Sequence, residues 1–259
     1  MRKHNLLSKK IRKQILSINN LLESYFNSLR RFILDAKKLR FDKNNKVFIV
    51  IVSTIFLTLV YFLIPTAYNK EIVQKEIKNQ VFQKYNITIK FDNEIQYNFL
   101  PKPHFSSKNL SILNKKKKIG EVKNFKIFIN FKNFLKLNQI QTLGIIFDKA
   151  DFNIKKSDLG FFTTLLKTEP NRYKIKIKRS NLFFMNKNDE VLFINQINDS
   201  QIYYDLKNLK NIFVSKSKVF NVPYKLTIGN DRLNKILDFE LVSKKLVLKI
   251  ENKTDYKME

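Results

Sequence analysis

The chain has 259 residues and a formal net charge of +28, from 50 Lys and Arg against 22 Asp and Glu. It contains no cysteine and only two histidines, which excludes disulfides, thiol chemistry and a metal site built on Cys and His ligands. A charge this high is typical of nucleic-acid-binding proteins, but the basic residues recur along the whole chain and alternate with apolar ones, so we expect no nucleic-acid partner.

An uncharged apolar run occupies residues 47–64 and is closed by Pro65. At 1.5 Å per residue it covers about 27 Å, close to the ~30 Å hydrocarbon core of a bilayer. Its polar members, Ser53, Thr54 and Thr58, can bond back to carbonyls one turn earlier. A buried core helix would show a polar stripe, and the apolar segment of a signal peptide is shorter and nearer the N-terminus. The run therefore predicts one transmembrane helix.

Residues 1–46 precede this run and hold 13 Lys and Arg against three acids. Because cytoplasmic flanks of a span retain positive charge, the N-terminus is expected in the cytoplasm and the remainder of the chain on the other side. Within this segment, residues 11–40 place apolar side chains at helical spacing with basic residues between them, which predicts a basic amphipathic helix. Such a helix fits the cytoplasmic head-group layer, or pairing with another subunit.

Residues 65–85 predict a short linker helix, because Val73, Ile77 and Val81 fall on one side at intervals of four. From Asn86 the apolar period changes to two, which predicts an extracytoplasmic β-rich domain over residues 86–259. We expect the linker helix to cover one end of this domain. Short polar turns separate the strands, as in antiparallel meanders, and the alternating polar residues give the sheet one wet face and one apolar face.

About ten strands with so little helix leave an apolar face that must close on itself or form a groove. We therefore expect a mainly β fold with N-terminal helices, in which one transmembrane helix precedes an antiparallel sheet that either closes on itself or leaves a groove. An ordinary closed core is the alternative for each apolar strand residue. The candidate groove residues, the apolar residues that would line such a groove, are Ile87, Ile89, Phe91, Ile95, Tyr97, Phe99, Phe125, Ile127, Ile129 and Phe131.

The chain shows no pattern that would predict catalysis. Its four glycines are scattered, so no phosphate-binding loop or dinucleotide fingerprint exists, and neither a Gly-x-Ser-x-Gly elbow nor a His-bearing triad can be drawn. Carboxylate pairs such as Asp148 with Asp151 fall between apolar strands, where turn chemistry explains them. We expect no enzymatic activity, no cofactor and no bound metal.

The order of these segments, with three local patterns, resembles the N-terminal part of the AsmA-like family, which is related to TamB and more distantly to the chorein-type bridge-like lipid transfer proteins. The patterns are a Pro-containing turn at Pro101 and Pro103 after a strand, the apolar alternation of residues 125–131, and the strand of residues 145–152. The resemblance covers about residues 45–230. This chain is shorter and poorer in Gly than larger members.

The resemblance implies a protein anchored in the bacterial inner membrane, in which the transmembrane helix precedes a curved antiparallel β-sheet forming an open periplasmic trough that holds acyl chains. The ten candidate groove residues would then be the lipid-groove candidates. The partners of such a protein would be membrane phospholipids, and its role would be phospholipid movement or outer-membrane biogenesis. The alternative is a membrane-tethered scaffold that recruits envelope proteins through a sheet edge, with no lipid transport. An apolar groove would favour the first hypothesis, and a closed, dry core the second.

Overall fold

The computed structural model describes residues 43–114, 117–135, 141–160, 174–231 and 233–255. The amphipathic helix predicted within residues 1–46 therefore lies outside the described residues. The chain divides into two compact units, the first ending at Leu59 and the second beginning at Val60. The last turn of the first helix thus belongs to the same unit as the sheet.

Helix α1 (Lys43–Leu63) is long and apolar enough to cross a membrane. Its side chains from Val47 to Val60 are exposed in the protein, as a lipid-facing helix requires. The hydroxyls of Thr54 and Thr58 donate to the carbonyls of Val50 and Thr54, each at 2.7 Å. These two polar side chains are therefore satisfied within the helix, as the sequence predicted.

Helix α2 (Lys70–Tyr85) follows a 3-10 turn, Ile64–Ala67, and has a defined cap at each end. The side chain of Asn69 accepts hydrogen bonds from the backbone N–H groups of residues 71 and 72, and Asn86 ends the helix in the left-handed conformation at φ 52°. Val73, Ile77, Val81 and Tyr85 are buried on one side of α2, which includes the apolar side predicted from their spacing.

The rest of the described chain forms one sheet of eleven strands. Their bounds are β1 (Thr88–Phe91), β2 (Gln96–Asn98), β3 (His104–Asn114), β4 (Lys117–Ile129), β5 (Thr142–Lys155), β6 (Lys174–Met185), β7 (Val191–Asp205), β8 (Lys210–Val219), β9 (Val222–Asp231), β10 (Ile236–Ser243) and β11 (Leu248–Asp255).

The strand order is β1-β3-β4-β5-β6-β7-β8-β9-β10-β11, with β2 beside β1 on the same edge of β3. Among the described strands, β11 pairs only with β10, so the sheet is open and not a barrel. The predicted fold class is confirmed: a mainly β chain in which a helix able to span a membrane precedes an open, largely antiparallel sheet.

One neighbouring pair departs from the expected antiparallel meander, because β5 and β6 run parallel. The connection between them, residues 156–173, is long enough to return the chain to the end of the sheet where β5 began. Apolar alternation is the same in both strand directions, so it carries no information on this point. The meander resumes at β7.

Candidate functional site

A single row of apolar side chains crosses most of the sheet. Its members face each other in register on β3 to β10, and we call them the apolar row: Phe105, Ile127, Ile145, Ile175, Ile202, Phe213, Ile228 and Phe239. The first four, on β3 to β6, are between 0 and 4% exposed. The last four, on β7 to β10, are only partly buried. The row therefore passes from a covered region into an uncovered one.

Helix α2 provides the cover over the first strands. Its buried side chains belong to the same core cluster as β1, β3, β4 and β5. Two polar contacts tie the helix to the start of β5: the backbone N–H of Thr142 donates to Gln80 Oε1 at 3.2 Å, and Lys84 Nζ donates to Thr142 Oγ1 at 3.0 Å. In the described chain this core cluster ends at Ile175 on β6.

Among the described residues, none of β7 to β11 belongs to the core cluster, although Ile202 on β7 packs against it. We call the face of β7 to β11 that carries the apolar row the open face. The pairing register places on it the following apolar side chains of β8 to β11: Phe213, Val219, Val222, Tyr224, Leu226, Ile228, Leu237, Phe239, Leu241, Leu248 and Ile250. The remaining paired positions of this face in β7 to β11 are apolar, Tyr, Ser, Asn or Thr. No charged side chain is among the described paired residues of the open face.

The opposite face of the same strands carries the charges. Lys178, Asp199, Lys216 and Lys225 follow one another in register across β6 to β9. Cross-strand ion pairs form there, including Lys210 with Asp238 at 2.6 Å, which raises the pKa of the Lys210 ammonium. The sheet thus separates a charged, solvated surface from an uncharged one, as expected when only one face meets water.

Three serine hydroxyls on the open face bond to one another, whereas Asn195 Oδ1 on the same face is buried without a hydrogen-bond partner. The Ser200 hydroxyl donates to Ser215 Oγ at 2.5 Å, and the Oγ atoms of Ser215 and Ser217 lie 2.6 Å apart. These three residues are 1 to 3% exposed. Ser200, Ser215 and Ser217 thus form a strip of small side chains across β7 and β8. Their hydroxyls need no water to complete their hydrogen bonds.

The ten candidate groove residues do not lie on the open face. Six of them are buried in the core beneath α2: Ile87, Ile89, Ile95, Phe125, Ile127 and Ile129. Phe91 and Tyr97 are partly buried against the same core, whereas Phe99 and Phe131 are 37% and 50% exposed in loops. Contact between an acyl chain and these eight buried or partly buried positions would require the elements packed against the core, α2 and, for Tyr97, the end of α1, to move away.

The uncovered surface lies instead on later strands, which sequence reasoning recognised as strands but did not single out. The available signal was the absence of charge at every second position of segments such as residues 222–230 and 237–243. Among the described residues, no group of three His, Cys, Asp or Glu side chains is arranged to hold a metal ion.

No family model matches the chain, and no curated protein matches it. The basis for assigning a function is therefore the open face itself, together with the helix that is able to span a membrane.

Proposed function

We propose that this chain is a membrane-anchored protein of the bacterial envelope that binds phospholipid acyl chains on its open face. Helix α1 anchors it in the inner membrane, with the N-terminus in the cytoplasm and the sheet in the periplasm. The protein belongs with the AsmA-like proteins in this proposal, and assists phospholipid movement or outer-membrane biogenesis. The observation that carries the proposal is an uncharged apolar face, continuous over β7 to β11, beside a helix-covered core.

The dimensions of the open face suit an acyl chain. Five neighbouring strands at about 4.8 Å spacing span roughly 19 Å across the strands. One leaflet of the hydrocarbon core is about 15 Å thick, so an acyl chain lying across the strands would find apolar contacts over its length. Each methylene removed from water contributes about 0.8 kcal/mol, so even one chain supplies a substantial binding free energy.

The chemistry of the face also favours lipid over water. Apolar patches of this extent on a soluble surface usually mark an interaction site. The hydroxyls of Ser200, Ser215 and Ser217 bond to one another, so covering them with hydrocarbon leaves no orphaned polar group. An occupant with a long apolar body is therefore compatible with every part of the strip.

Photo-crosslinking from adjacent residues tests the proposal. A benzophenone amino acid placed at Phe213 points to the open face, whereas one placed at Ile212 points to the charged face, because successive strand residues alternate. After illumination of cells that produce the full chain, we expect phospholipid adducts by mass spectrometry at position 213 and not at position 212. In a second variant, Ile228→Asp should remove the adduct from position 213 while the sheet remains folded.

Two results would overturn the proposal. One is equal lipid labelling at positions 212 and 213, which would mean that the label reports general proximity to membrane. The other is the absence of lipid at position 213 in protein that circular dichroism shows to be folded.

A scaffold function is the second candidate, and the free edge of β11 favours it. All eight residues of β11 are exposed, and among the described strands only β10 pairs with it. An unpaired edge offers backbone groups to an added strand. A crosslink from Lys249 to one defined protein, with no lipid adduct at Phe213, would support this function in place of lipid binding.

A further inference from the structure

Two neighbouring loops at one end of the sheet expose large apolar side chains. The loop after β2 carries Phe99 and Leu100, which are 37% and 68% exposed, and the loop after β4 carries Phe131 and Leu135, which are 50% and 78% exposed. The loops are adjacent because the backbone N–H of Ile129 donates to the carbonyl of Pro103 at 3.1 Å. We call these four side chains the apolar loop patch.

The apolar loop patch is attached to the last turn of α1, within the unit that begins at Val60. The Tyr61 hydroxyl donates to the carbonyl of Phe131 at 2.6 Å, and the Tyr61 ring stacks on Phe134 with a centroid separation of 5.5 Å. The ring of Phe62 lies 6.2 Å from that of Phe131. The loop after β4 is therefore held beside residues that are themselves part of the apolar helix.

The second loop is tied to the same turn. The hydroxyl of Tyr97, two residues before Phe99, donates to the carbonyl of Phe62 at 2.8 Å. The ring of Tyr97 also meets that of Phe134 edge-on at 6.2 Å. Both loops of the patch thus lie at the level where α1 ends.

Although α1 as a whole is long enough to cross a membrane, its unbroken exposed apolar run is shorter than the hydrocarbon core. Contacts with the loops begin at Tyr61, and Tyr61 and Phe62 are only partly exposed, whereas Leu63 beyond them is 47% exposed. The unbroken run of exposed apolar positions is therefore 47–60, which covers about 21 Å at 1.5 Å per residue. The hydrocarbon core is about 30 Å thick. If α1 spans it, the bilayer must thin or the end of the sheet must enter the leaflet.

We propose that the apolar loop patch inserts into the membrane leaflet that α1 reaches at its C-terminal end, so that the sheet makes a second contact with the bilayer. Phe99, Leu100, Phe131 and Leu135 supply the apolar surface that the shortfall in α1 requires. Lys102 and Lys132, on the same two loops, are suited to anionic phospholipid head groups at that depth. The proposal rests on α1 crossing the membrane and not on lipid binding by the open face.

The absence of cysteine allows a direct test with single labels. Leu135→Cys in the full chain, carrying an environment-sensitive fluorophore, is compared with Leu159→Cys, which is 44% exposed and follows the opposite end of β5. The protein is placed in nanodiscs of phosphatidylethanolamine and phosphatidylglycerol that contain lipid with a doxyl quencher on the acyl chain. We expect quenching at position 135 to be several times stronger than at position 159.

Two outcomes would overturn the inference. Equal quenching at positions 135 and 159 would mean that the apolar loop patch has no more contact with lipid than the opposite end of β5. No quenching at position 135 would mean that the bilayer thins around α1. Neither outcome bears on acyl-chain binding at Phe213, so failure here is distinct from failure of the proposed function.

Discussion

Ile175 on β6 and Ile202 on β7 face each other directly, yet Ile175 is 4% exposed while Ile202 keeps part of its side chain uncovered. The same residue type in the same row therefore meets two environments separated by one strand spacing, about 4.8 Å. The difference arises because the core packed against α2 ends at this point. One sheet thus supplies both a folding core and a surface available to an apolar ligand.

Matched aspartate substitutions should separate these two roles. Ile145→Asp places an unpaired carboxylate in the core beneath α2, where the side chain is 1% exposed, and should lower the free energy of unfolding by about 4 kcal/mol or more. Ile228→Asp, in the same row but on the open face, leaves the carboxylate in reach of water and should cost about 1 kcal/mol. Urea unfolding followed by circular dichroism measures both. Equal losses would mean that the open face is covered in solution.

Gly144 on β5 faces Lys174, the first residue of the parallel strand β6. A Cβ atom at this position would lie 2.9 Å from the carbonyl oxygen of Lys174, and a backbone atom cannot rotate away as a side chain can. Gly144→Ala should therefore destabilise the sheet by about 1–3 kcal/mol, as overpacking usually does. Gly160→Ala is the control, because nothing lies within 4 Å of its added Cβ. Similar melting temperatures for the two variants would contradict this prediction.

The sequence predicted the strands, the spanning helix and the buried side of α2, because each depends on a local period that neighbouring residues set. The alternation of Ile127 and Ile129 with polar residues needs no tertiary information to be recognised. Which apolar positions α2 would cover does depend on tertiary packing. Ile145 and Ile228 carry the same local signal and differ only in what lies above them. The candidate groove was therefore predicted on the same face of the sheet as the open face, but mostly on strands that the helix covers.

The end of the sheet beside α1 should be sensitive to alkaline pH through Tyr97. Burial, with a contribution from nearby Tyr68, raises the pKa of the Tyr97 hydroxyl to about 12. The folded state holds this proton more tightly than the unfolded state does. The protonated Tyr97 hydroxyl therefore contributes its full stabilisation below pH 10, and this stabilisation is lost as the pH rises to 12. Absorbance titration at a tyrosinate wavelength should show a late component that Tyr97→Phe removes. A wild-type titration identical to that of the variant would disprove the assignment.

His104 should make the same end of the sheet sensitive to mild acid. His104 is buried, at 3% exposed, and its Nδ1–H donates to the carbonyl of Lys102 at 2.8 Å. Burial lowers the pKa of the imidazole below its usual value of 6.5. The hydrogen bond to the Lys102 carbonyl opposes this shift, and the positive charge of Lys126 adds to it. The unfolded state therefore binds the proton more readily, so the stabilising contribution is present above pH 6.5 and is lost as the pH falls through the folded-state pKa.

Between pH 6.5 and 5 most carboxylates remain ionised, so the histidine titration can be observed with little interference. We expect the melting temperature of the wild-type chain to fall across this interval and that of His104→Phe to change less, although the variant starts from a lower value because it loses the hydrogen bond to Lys102. His4 is the only other histidine and is retained in both proteins, which makes it an internal control. Parallel pH profiles would mean that the His104 imidazole accepts a proton in the folded protein as easily as in water.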